Sequence, residues 1–148
     1  MNTYLTITDL KQGVFGEVLN VVTRNEDNCN KAIIEAQAEV ESYLCNRYAI
    51  GKELEKTTPD NGEDDTRVPM IVKLVRDVAL YNAFNISNPV SIPENRRDRY
   101  NDAVSFLKLV QCGKASIPSL ERLDIADDGS VSANNISYGC STKRNYQL

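Results

Sequence analysis

The chain predicts an all-α protein: a small bundle of four to five helices with a long acidic loop and an extended C-terminal arm. Two observations carry that expectation. Apolar residues recur at three- and four-residue spacing in successive windows, the pattern of helices that bury one face. Pro, Gly and Asn/Asp clusters separate those windows and mark the turns between them. At 148 residues the chain fits one domain, large enough to bury a core without a disulfide or metal staple.

The first element is "DLKQGVFGEVLNVV" after Thr8, whose hydroxyl suits an N-cap, with Asp9 in the favourable first turn. Gly13 and Gly16 interrupt it, so one long rigid helix is not expected there. A polar loop, "TRNEDNCN", then leads to a second helix over about residues 31–48, capped by Asn28 or Asn30. Ile33, Ala36, Val40, Leu44 and Tyr48 share one arc of that helix, with Glu35, Glu39, Ser42 and Asn46 opposite. Arg47 falls inside the apolar arc and Tyr43 borders it. A buried arginine needs a counter-charge, and Asp77 is the expected partner of Arg47 in a structural ion pair.

Residues 51–67 hold six acidic and three basic residues around a Pro-Asp-Asn-Gly turn and read as an exposed loop. Pro69 suits the first turn of a third helix, in which Ile71, Leu74, Val75, Val78, Leu80 and Tyr81 point to deep burial and Lys73, Arg76 and Asp77 to a wet edge. Ser91 and Glu94 in "SIPEN" form a capping box for a fourth helix. Tyr100, Ala103, Val104, Leu107 and Val110 are its core stripe, and Gly113 is its stop. The organisation expected is a helical domain over residues 1–113 and an arm over 114–148, ordered by a partner and holding at most a short hairpin at Asp128-Gly129.

Composition narrows the chemistry. The chain has no histidine, which removes the commonest general base and metal ligand. Its four cysteines, Cys29, Cys45, Cys112 and Cys140, form no CxxC pair and are expected to be free thiols, buried or half-buried. Counted from Asp60, an EF-hand loop would need glycine at its sixth position and glutamate at its twelfth; the chain has Asp65 and Ile71. Phosphate-binding and nucleophile-elbow patterns are missing as well. No enzyme activity, cofactor or metal site is expected, and neither is a membrane segment. A net charge of -4 argues against a broad nucleic-acid footprint.

One charged constellation stands out. Arg96, Arg97 and Arg99 in "ENRRDRY" gather positive charge near a helix start, where the dipole disfavours it, and they suit an acidic partner. Asp60, Glu63, Asp64 and Asp65 of the loop are the complementary group if that partner is another copy of the chain.

In order along the chain, "YLTITDLKQGVFG", "IIEAQAEVESYLCNRYAI", "RDVALYNAF" and "RRDRYNDAVSFLKLVQCGKASI" resemble the phage head-tail connector (adaptor, or head-completion) proteins of the Mu-like prophage type, over about residues 4–117. The long acidic loop and arm depart from that pattern. The resemblance implies a helical protomer that forms a ring beneath the capsid portal protein, meets a tail-completion or tail protein, and lets DNA pass without reading its sequence. It also implies residence in the host cytoplasm during assembly and then in the virion. A ring requires two different faces of one protomer to meet, which the arginine patch and the acidic loop would satisfy. The rival reading is a small helical nucleic-acid-binding regulator that uses the arginine cluster.

Overall fold

The computed structural model describes residues 3–12, 14, 26–59, 64–87 and 92–123. Among them are five helices: α1 (Ile7–Gln12), α2 (Glu26–Leu44), α3 (Ile50–Leu54), α4 (Pro69–Ser87) and α5 (Glu94–Gln111). The described residues hold no strand, only an isolated antiparallel bridge between Tyr48 and Arg122. The fold is the small all-α bundle that the apolar spacing predicts.

Three long helices make the core. α2 and α4 share the largest interface, and α5 packs on both. α2 buries Cys29, Ala32, Ile33, Ala36, Val40 and Leu44, one continuous arc, and the small alanines let the neighbouring helix come close. α4 buries residues nearly all round, among them Ile71, Leu74, Val75, Val78, Leu80 and Phe84. Each large side chain sealed this way contributes roughly 1.5–3 kcal/mol, so these stripes are the main source of stability. α2 and α5 run parallel: Glu39 meets Tyr100 and Arg47 meets Val110, at sequence offsets of 61 and 63 residues.

The N-terminal cap is Thr6, not Thr8. Its hydroxyl accepts from the Asp9 amide (3.4 Å) while the Asp9 carboxylate accepts from the Thr6 amide (2.9 Å), a reciprocal box with aspartate in place of glutamate. The glycine-interrupted continuation after Gly13 lies outside the described residues apart from Val14. α2 begins at Glu26, so Asn28 and Asn30 lie inside the helix and do not cap it. It ends at Leu44; Arg47 and Tyr48 belong to the turn beyond, although Tyr48 is buried as the arc predicts.

The stretch 51–67 is not uniformly an exposed loop. It carries most of α3, and Glu53 and Arg67 are buried at its two ends. The Glu53 carboxylate accepts from the Tyr4 hydroxyl (2.8 Å) and the Val68 amide (2.6 Å) and pairs with Lys56. A carboxylate at the start of α4 also favours that helix through its dipole. Arg67 donates to the Tyr4 carbonyl (2.8 Å), Asp9 (3.0 Å), Thr58 (3.1 Å) and Asp65 (2.7 Å). Burial of these charges is tolerated because each has several partners. The clasp ties the N-terminal segment, the residues after α3 and the head of α4 together. Its sequence signals were ordinary acidic and basic letters in a stretch that composition assigned to solvent.

Ser91 of the expected capping box lies outside the described residues. α5 starts at Glu94 with Pro93 at the N-cap position and no side-chain cap bond. Its end is the one predicted: Gly113 has φ +79°, Lys114 donates to the Leu109 carbonyl (2.9 Å) and Gly113 to that of Val110 (3.0 Å). This is the Schellman arrangement, which favours glycine at the left-handed position.

The helical body does not stop at 113. Ile117 and Leu120 are buried, the Ile117 amide donates to the Tyr48 hydroxyl (3.0 Å), and Glu121 and Arg47 accept from Ala49 (2.9 Å) and Leu123 (3.1 Å) through their carbonyls. The first ten residues assigned to the arm therefore close over α3 and the turn that precedes it. The hairpin expected at Asp128-Gly129 lies outside the described residues.

Candidate functional site

A polar seam runs where α4 meets α5. Lys73, Asp77 and Tyr81 stand four residues apart on α4 and so share a face. On α5, residues 96, 100, 103, 107 and 110 follow alternating four- and three-residue spacing, and all are buried or half-buried. Arg96 is the first member of that core stripe. The expectation that it belongs to an exposed patch is corrected: it is 8% exposed. The stripe itself was readable from Tyr100, one turn further on.

Tyr81 and Tyr100 hold the seam together, their rings stacked at 4.1 Å between centroids and 14° between planes. The Tyr100 hydroxyl donates to Glu39 on α2 (2.9 Å). Burial, followed by the Glu39 carboxylate, pushes the Tyr100 hydroxyl up to about 12, so it stays a donor at any physiological pH.

Beside the stack lies Asp77, placed by the sequence on a wet edge but 5% exposed. Arg99 on α5 approaches its Oδ1 to 3.9 Å. That is an ion pair, not a hydrogen bond, and Oδ1 has no hydrogen-bond partner. Burial raises the Asp77 pKa although Arg99, Arg76, Lys73 and Arg96 all pull it down. Burial lowers that of Arg96, with Arg99 and Arg76 repelling it and Asp77 opposing them. Arg99 is thus the cation in ion-pair contact with Asp77, while Lys73, Arg76 and Arg96 act on it from further away.

The expected ion pair between Arg47 and Asp77 does not form. Arg47 Nη1 instead donates to the Val110 carbonyl (2.7 Å), at the point where α5 ends. A helix C-terminus offers unpaired carbonyls and partial negative charge, which satisfies a guanidinium without a carboxylate. Of the remaining patch residues, Arg97 and Arg99 are exposed. Asp64 and Asp65 are exposed too, but Asp65 is held by Arg67, which keeps its carboxyl below the usual range. Asp60 and Glu63 lie outside the described residues.

Among the described residues no group of three or more Cys, Asp or Glu side chains is placed to hold a metal ion. No helix among them is long and apolar enough to cross a membrane. Cys29 is buried on α2 as expected, but Cys45 and Cys112 are exposed, because each lies in the turn just past a helix end; Cys140 lies outside the described residues.

No curated protein and no solved structure matches the chain. The family model described as Bacteriophage Mu, Gp36 matches residues 4–133, which includes every helix above. This protein belongs to the Bacteriophage Mu Gp36 family.

Proposed function

We propose that the chain is a non-enzymatic virion assembly protein that forms an oligomeric ring joining the capsid portal to the tail. The observation that carries this reading is the α4–α5 seam of a Mu-type phage family protomer, where the exposed Arg99 reaches the buried Asp77 carboxylate only at 3.9 Å and Asp77 Oδ1 has no hydrogen-bond partner. An exposed guanidinium held only by that long contact gains from a protein partner that supplies acidic side chains and excludes water. Ring assembly supplies such a partner repeatedly, because each protomer presents one face and receives another.

In this role the clasped helical body is the rigid unit, and Arg97 and Arg99 are exposed charges at its edge. The partners are further copies of the chain, the portal protein, a tail-completion or tail protein, and DNA that passes without sequence recognition. The protein works in the host cytoplasm during assembly and remains in the virion. No cofactor, metal or membrane takes part.

Light scattering of the purified full chain, alone and with portal protein, tests the reading. A stoichiometric complex of many copies per portal is the expected result. Salt-sensitive binding to duplex DNA without portal binding would favour the regulator instead.

A further inference from the structure

The exposed side of α2 has an order of its own. Asp27, Lys31, Ile34, Ala38 and Glu41 follow alternating four- and three-residue spacing and all are exposed, so they form one stripe opposite the buried arc. At its centre lie Ile34, 41% exposed, and Ala38. Asp27, Glu35 and Glu41 flank that centre against the single Lys31. An apolar centre with a charged rim is the composition of a contact surface.

The α4–α5 seam is the opposite in charge. Lys73, Arg76, Arg96 and Arg99 all act on Asp77, Arg99 from 3.9 Å, and Asp77 Oδ1 is buried without a hydrogen-bond partner. Lys73 and Arg99 are exposed and open to a second molecule. Because α4 and α5 pack on the inner side of α2, the outer stripe of α2 is turned away from the seam of its own chain.

We propose that the α4–α5 seam of one copy receives the outer stripe of α2 from the next copy, with Glu35 and Glu41 facing Lys73 and Arg99. This rests on the ring reading and names the surfaces that meet in it. The two faces differ, so the contact is heterologous and each copy can present one while it receives the other.

The test uses three full-length proteins: the wild type, K73E/R99E and E35R/E41R, all changed at exposed positions. Far-ultraviolet circular dichroism during thermal unfolding establishes that each is folded. Sedimentation velocity, with and without portal protein, then gives their association. The wild type is expected to assemble, each variant alone to lose roughly tenfold or more in association, and an equimolar mixture of the two variants to recover it, since each then meets an opposite charge. Variants that assemble like the wild type, or a mixture that stays dissociated, overturn this interface and leave the ring reading standing. A wild type that remains a single chain even with portal overturns the ring reading, and this interface with it.

Discussion

Arg67 Nη1 lies 3.0 Å from Asp9 Oδ2, with side chains 3% and 8% exposed, across a sequence separation of 58 residues. This pair joins α1 to the head of α4. Asp65, Thr58 and the Tyr4 carbonyl complete the shell of Arg67, so the N-terminal segment is part of the folded body. Replacing Arg67 with methionine keeps the stem volume but leaves the buried Asp9 carboxylate with its Thr6 and Thr58 donors and without a counter-charge. The expected loss is about 3–5 kcal/mol in urea unfolding, the usual cost of removing one member of a buried pair.

The same pair sets an acid limit. Burial alone would raise the Asp9 pKa, but hydrogen bonds from Arg67, Thr58 and Thr6 outweigh it and hold the carboxyl below its ordinary 3.8. Because the folded value lies below the unfolded one, this contribution is complete above pH 3.8 and is lost as pH falls through the depressed value. Asp77 has the opposite sign: its folded value is raised, so the stability linked to its protonated form is lost as pH rises through it. The Asp9→Asn variant is expected to show a shallower fall in stability below pH 4 than the wild type, which acid titration by circular dichroism would detect.

Gly113 ends α5 at φ +79°, and a Cβ there would lie 3.1 Å from Arg47 Nη1. The Gly113→Ala change therefore strains the backbone and displaces the Arg47 guanidinium from the Val110 carbonyl. A loss of about 1–2 kcal/mol from the left-handed conformation is expected, and the Arg47 shift adds to it. Thermal unfolding measures the sum.

Arg47 and Asp77 serve different contacts, so their effects should add. Arg47→Met removes a charged donor from a carbonyl and is expected to cost about 1.5–3 kcal/mol. Combined with Asp77→Asn in a double-mutant cycle, the coupling energy is expected to stay below about 0.5 kcal/mol. A larger coupling would restore the ion pair that the sequence suggests.

The fold class, the buried arcs of α2 and α4 and the glycine stop of α5 were legible in the sequence, because periodic burial and a left-handed cap leave local marks. Charged residues did not declare their positions. Asp77 and Arg67 look like surface letters, and Arg47 looks like the buried one. Their placement depends on partners tens of residues away: Asp9 for the buried Arg67, α5 for the buried Asp77, the Val110 carbonyl for the half-buried Arg47. Thr6 was missed as the cap because aspartate, a short substitute for glutamate, closes its box. The packing of residues 114–123 was missed because two buried side chains, Ile117 and Leu120, set no period.

Complementation in vitro is the direct test of the proposed joining of heads to tails by this chain. DNA-filled heads assembled without this protein are mixed with tails in the presence or absence of the purified full chain, and infectious particles are counted. Heads alone are expected to stay tail-less, and added protein to restore joining. Equal joining with and without the protein would rule out this role.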